Sequence, residues 1–203
     1  MVSVRLLLGI VCAFAVSGSG MLSGSVLKSK VSGASFAGLS SFFQERTVSR
    51  KSSSEHARQR VIQIAQAQLR VREATGNNDG IAVENYLHYT GHVKGDPWCA
   101  AFVSWVYGQS GYKFPSTAWS PALFPASRRV DNPQPADVFG IYFSSLKRIA
   151  HCGLVKSQRG SWLITIEGNT NMTGSREGDG VYTKYRHKRT IMYYADWLKG
   201  GGI

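Results

Sequence analysis

Gly95-Asp96-Pro97-Trp98-Cys99-Ala100-Ala101-Phe102-Val103-Ser104-Trp105-Val106-Tyr107 is the stretch on which the reading of this chain turns. Asp96 is a good helix N-cap and Pro97 suits a first helical position, so the pattern predicts a helix from Trp98 to Gln109, closed by Gly111. It is apolar almost all round, as a buried helix is. Cys99 then sits in the first turn, third in the helix. Unpaired backbone N–H groups and the positive end of the helix dipole face its sulfur. Both favour thiolate over thiol, so the position suits a nucleophile. The plainer reading is a small buried side chain, the commonest fate of cysteine.

Upstream, Ser52 followed by Glu55 forms a capping box for a helix reaching about Glu73, with Ala57, Val61, Ile64, Ala65 and Leu69 as its core stripe. A loop at Thr75 to Gly80 leads into a second helix, Ile81 to Tyr89. A short helical patch is expected near Ser116 to Phe124, interrupted by prolines. Downstream the period changes to two. Val138–Phe143, His151–Lys156, Trp162–Glu167, Val181–Tyr185 and Thr190–Tyr194 read as strands separated by turn residues. Helices followed by a strand meander predict an α+β domain, with N-terminal helices packed on a five- to six-stranded antiparallel sheet over residues 55–198.

The remainder is organised more simply. Arg5 and an apolar run of about eleven residues, Leu6 to Val16, followed by small residues, read as a signal peptide over 1–20 or a weak uncleaved anchor. Residues 21–54 are rich in Ser and Gly and read as a flexible linker. Export to the periplasm or outside the cell is the expectation, with N-terminal tethering as the alternative and no stable membrane span after leader removal. The 203 residues carry a net charge of +12, of which +8 falls on residues 56–203. Such a surface is expected to be drawn to polyanions, or else serves plain solubility. No nucleic-acid motif is read, which makes nucleic acid the weaker partner. With the leader gone, Cys99 and Cys152 remain, too few for a disulfide framework.

A nucleophilic thiol needs a base. His151, in a strand, titrates near neutral pH and is the candidate; His56, His88 and His92 look like surface residues and His187 lies in a basic turn. Glu167 and Asn169 end the next strand. A hairpin of the two strands brings the start of one to the end of the other, which makes Glu167 a neighbour of His151 able to fix its tautomer, and Asn169 a second candidate or a turn residue. Cys152 follows His151, and alternation points it to the opposite face, as a buried thiol with no disulfide to Cys99. Trp98 and Trp119 are candidate groove walls, although large aromatics more often join the core. Asn78 and Asp79 are candidates for a groove rim, or form a simple turn.

Taken in order, these landmarks resemble a known family. Asp96-Pro-Trp-Cys-Ala-Ala-Phe-Val-Ser-Trp is similar to the nucleophile helix of CHAP-domain peptidoglycan hydrolases, within the papain-like group that includes NlpC-type endopeptidases. Pro135-Ala136-Asp137-Val138-Phe139-Gly140 resembles the start of that family's first central strand, with Ala136 where Gly is usual. His151-Cys-Gly-Leu-Val resembles the strand carrying the catalytic histidine, and Ile166-Glu167-Gly168-Asn169 the strand end supplying the orienting residues. The resemblance spans roughly residues 58–195. It implies a papain-like CHAP fold and a monomeric cysteine amidase or endopeptidase acting on peptidoglycan. Cys99 is then nucleophile, His151 base, and Glu167 and Asn169 orient the ring. Anionic wall polymers are further partners and no cofactor is implied. Calcium-binding members carry several acids ahead of the cysteine; here Asp96 is the sole acid within about ten residues, so no metal is expected. The alternatives are a catalytically silent wall-binding module, and a cysteine peptidase or acyltransferase acting on a non-wall substrate.

Overall fold

The computed structural model describes residues 53–173 and 178–200. The leader, residues 21–52 of the expected linker and the Ser52 cap lie outside the described residues, while Ser53 and Ser54, expected to end the linker, already belong to the first helix. Three helices, α1 (53–67), α2 (Ile81–Tyr89) and α3 (Cys99–Gln109), precede a six-stranded antiparallel sheet. Its strands are β1 (Arg129–Val130), β2 (Val138–Phe143), β3 (Arg148–Arg159), β4 (Trp162–Thr170), β5 (Gly180–His187) and β6 (Tyr193–Ala195), in the order β1-β6-β2-β3-β4-β5. The protein is α+β, with a sheet of the expected size. Among the described residues, no helix is long and apolar enough to cross a membrane.

The sheet has two unlike faces. On one, Val138, Cys152, Leu154 and Ile166 pack with Ala100, Phe102 and Val103 of α3 and with Val61 and Ala65 of α1. On the other, Phe139, Val155 and Leu163 form a small second cluster with Ile141, Ile191 and Tyr194. Period-two alternation sends neighbouring residues to different clusters. Gly168 lets α3 lie hard against β4: a Cβ there would stand 2.7 Å from the Trp98 ring and 2.8 Å from Phe102 Cβ. Arg58 fastens α1 to the sheet through Asp137 at 2.7 Å and Asp196 at 2.6 Å.

Several boundaries differ from expectation for identifiable reasons. α1 stops at residue 67, not near Glu73, because residues 71–74 line the edge of β5. Val181 N–H donates to Val71 O, and Glu73 N–H to Asp179 O. The patch near Ser116 becomes a single 3-10 turn, Ser120–Leu123. The strand from His151 begins earlier, at Arg148, and the expected strand at Thr190 shortens to Tyr193–Ala195 after a 3-10 turn.

Candidate active site

α3 is capped two residues later than its sequence suggests, so Cys99 is first in the helix, not third. Trp98 is the N-cap and Cys99 the first helical residue, with no side-chain cap. Asp96 is occupied elsewhere: its carboxylate pairs with His92 Nδ1 at 2.9 Å and takes the Val93 N–H. The first i→i−4 bond of the helix runs from Phe102 N–H to Trp98 O. The N–H groups of Cys99, Ala100 and Ala101 therefore have no intrahelical acceptor, and the thiol lies beside them.

Four side chains surround the Cys99 sulfur or the group that faces it. Ser120 Oγ is 3.4 Å from Cys99 Sγ and 3.8 Å from Cys152 Sγ. The side chains of Cys152 and His151 also lie near enough to Cys99 to act on its charge. His151 Nε2 meets Glu167 Oε2 at 2.8 Å, which leaves Nδ1 for the thiol. Alternation alone would send His151 and Cys152 to opposite faces. The β2–β3 register slips between Ile141 and Tyr142, beside His151. Both side chains are nonetheless close enough to Cys99 to shift its pKa, and Ser120 Oγ lies within 4 Å of both sulfurs. The expectation that Cys152 stands away from the nucleophile is thus corrected. Both cysteines are free thiols.

Glu167 is fully buried and its oxygens are fully engaged. Arg186 donates from Nε to Oε1 at 2.9 Å and from its guanidinium to Oε2 at 2.6 Å, and Thr165 Oγ1 donates to Oε1 at 2.5 Å. Its route to His151 crosses Gly153, where a Cβ would lie 2.9 Å from Glu167 Cγ. Arg186, Thr165, Ser120 and the part played by Cys152 escaped the sequence reading. A search for the counter-ion of a buried carboxylate would have pointed to a strand arginine such as Arg186.

The electrostatics follow from these contacts. The Cys99 pKa is drawn well below that of an ordinary thiol, first by the neighbouring Cys152 thiol; burial opposes this, and His151 and Ser120 add to it. Burial pushes the Cys152 thiol up, and the neighbouring Cys99 pushes it further. Burial disfavours charge on His151, but its bonds to Cys99 and Glu167 outweigh that and raise its pKa to about 9. Burial likewise opposes charge on Glu167, yet Arg186 and His151 hold it down to about 2. Together these shifts favour thiolate, imidazolium, carboxylate and guanidinium in sequence. The centre is recessed, with 6% of Cys99 and 12% of the His151 side chain in solvent.

The remaining candidates divide. Trp119 is half-exposed, immediately before Ser120, with the Arg148 guanidinium 4.3 Å from its ring centre, so it lies at the edge of the thiol site. Trp98 is no groove wall: it is fully buried, and its indole N–H donates to Glu73 at 2.8 Å. Asp79 is buried too. It accepts from the Thr75 N–H and hydroxyl at 2.8 and 2.7 Å, which hold its pKa to about 2, so its carboxylate shapes the loop and does not face a substrate. Asn169, at φ 52°, donates to Asn78 Oδ1 at 3.3 Å, and Asn78 donates to Gly95 O at 3.1 Å. These two asparagines tie the β4 end to the loop before α3, and the bond to His151 comes from Glu167. Among the described residues, no group of three or more His, Cys, Asp or Glu is placed to hold a metal ion.

No protein-family model matches the chain, and no curated protein matches it. Among solved structures it is similar to the crystal structure of Ly7917, at 14% identity and a TM-score of 0.40, over 68% of this chain. The chain spans 60% of the length of that structure. A likeness of this size fixes neither fold family nor chemistry.

Proposed function

We propose that this protein is a cysteine hydrolase of the papain-like CHAP type that cuts an amide bond in cell-wall peptidoglycan. The observation that carries the reading is the Cys99–His151–Glu167 relay at the start of a buried helix, beside backbone N–H groups without intrahelical acceptors. The substrate class comes from the sequence resemblance, and the basic surface favours anionic wall material.

Cys99 thiolate attacks the amide carbonyl, and the carbonyl electrons move to oxygen. The Cys99 N–H stabilises that oxyanion. His151, as imidazolium, gives its proton to the departing amine, leaving a thioester. Neutral His151 then takes a proton from water, whose oxygen attacks the thioester and releases the acid and the thiolate. Glu167 holds the ring in orientation and stabilises its charged form.

Cys99→Ala and His151→Ala are each expected to lower the release of new amino groups from purified sacculi by at least about 10³-fold while circular dichroism stays unchanged. A Cys99→Ala chain that clears walls at the wild-type rate removes the proposal. Mass spectrometry of the fragments separates its two forms. A freed L-alanine amine on an intact stem means an amidase, and a shortened stem means an endopeptidase.

A further inference from the structure

We infer that the far end of the β3–β4 hairpin, together with β5, is a second binding surface that takes a carboxylate-bearing saccharide. Alternation along β4 places Ile164 and Trp162 on the same face as Ile166, which α3 covers. Their β5 partners on that face are Tyr185, opposite Ile164, and His187, opposite Trp162. Beyond the reach of α3 this face is open: Trp162 is 50% and Tyr185 70% exposed. Between them lies a cavity of about 830 Å³, also lined by Arg159 and Ser161. Trp162 is five residues from Glu167, roughly 16 Å along the strand, so this is a site apart from the thiol.

The surface is built and held rigid. Trp162 and His187 pack edge to face at 5.0 Å and 80°. His187 Nδ1 accepts the Arg189 N–H at 3.2 Å, which leaves Nε2–H as a donor. Lys188 N–H donates to Ser161 O at 2.9 Å and ties the end of β5 to the hairpin turn. Large aromatic side chains left half or more exposed on fixed strands mark a recognition site. Flat rings stack on the C–H faces of sugars, while Arg159, Ser161 and His187 supply donors. Residues 156–166 and 180–192 contain no acid, and none lines the cavity.

The same composition could be read as a nucleic-acid track, since Tyr182 to Arg189 interleaves basic and aromatic residues. The strand divides that pattern. Lys184 faces away and donates to Asn171 O at 2.6 Å, and Arg186 is held by Glu167. Arg159 is the cation left in the cavity lining beside two rings, which suits one acidic sugar at a time better than a chain of phosphates.

The inference does not depend on thiol chemistry, and its test is run on full chains carrying Cys99→Ala. The probe is a peptide-free β-1,4-linked N-acetylated glycan with lactyl carboxylates, compared with the same strands after conversion to amides, and with oligo-dT. Titration calorimetry should show binding to the carboxylated strands. Trp162→Ala or Tyr185→Ala should weaken it at least about tenfold, and Trp162→Phe should restore most of it. Arg159→Gln should abolish the preference for carboxylate over amide. No binding by the parent chain, equal binding by folded Trp162→Ala, or tighter binding of oligo-dT through the same residues would each overturn the assignment. None of those results bears on hydrolysis by the intact thiol.

Discussion

A buried thiol ordinarily keeps its proton, because a thiolate is poorly solvated away from water. Cys99 departs from that rule through its neighbours, of which the Cys152 thiol acts most strongly. Ser120 Oγ lies 3.4 Å from Cys99 Sγ and 3.8 Å from Cys152 Sγ, so Cys152 borders the candidate reaction centre, although it transfers no proton in the scheme. Cys152→Ala is expected to move the Cys99 pKa upward, whereas Cys152→Ser, which keeps a donor, should hold it closer to the parent value. Alkylation by iodoacetamide followed against pH reads this directly: the acid-side inflection rises in the alanine variant. For hydrolysis the high-pH limb belongs to His151. As pH rises through about 9 the imidazolium is lost, no acid remains to protonate the leaving amine, and the rate falls. A Cys152→Ala chain whose alkylation profile overlays the parent's would remove Cys152 from the account of the lowered pKa.

At the scale of single elements, β3 and β4 work as a pair because Gly153 has no side chain. One step beyond the Leu154–Ile166 pair, Glu167 lies across Gly153 and reaches His151 diagonally. A methyl at 153 would stand 2.9 Å from Glu167 Cγ, Ile166 O and Phe139 Cε1, closer than carbon atoms tolerate. Gly153→Ala is expected to cost about 1–3 kcal/mol of stability by overpacking and to lower kcat by up to about 10²-fold by displacing the carboxylate. Urea melts and initial rates on sacculi check the two effects separately, and an unchanged rate would show that Glu167 need not follow that path. The glycine was legible as part of a strand; its reason was not, because it depends on the register between two strands. The same limit appears elsewhere. α2 and the body of α3 follow from local pattern, and both match. The end of α1 was misplaced because the edge of β5 captures residues 71–74, a contact about 110 residues away in sequence. Ala136, where the resembling family has Gly, sits at φ 74°, so the substitution keeps a left-handed backbone at some strain.

Across the whole molecule, the charge on Glu167 joins three strands: His151 from β3, Glu167 from β4 and Arg186 from β5. Sequence reading reached the first two because a resemblance and a hairpin bring them together. Arg186 lies 19 residues on, in a strand whose register no local pattern sets. Its removal leaves a buried carboxylate with one cation fewer. Arg186→Leu is therefore expected to destabilise the fold by about 3–5 kcal/mol at neutral pH, the usual cost of breaking a buried ion pair from one side. The sign of its pH dependence follows from linkage. Glu167 titrates near 2 in the folded protein against an ordinary value of 4.5. Its ionised form thus contributes stability that is full above about 4.5 and is lost as pH falls towards 2. Without Arg186 the depression shrinks, so the gap in unfolding free energy between parent and variant should be widest at pH 7 and narrow on acidification. Other charges on this basic chain act on both proteins alike and drop out of the difference. Urea unfolding at pH 7 and pH 3 measures the gap. One of equal size at both would mean that Arg186 acts through the packing of its stem, and that the carboxylate facing His151 is held in its charged form by something else.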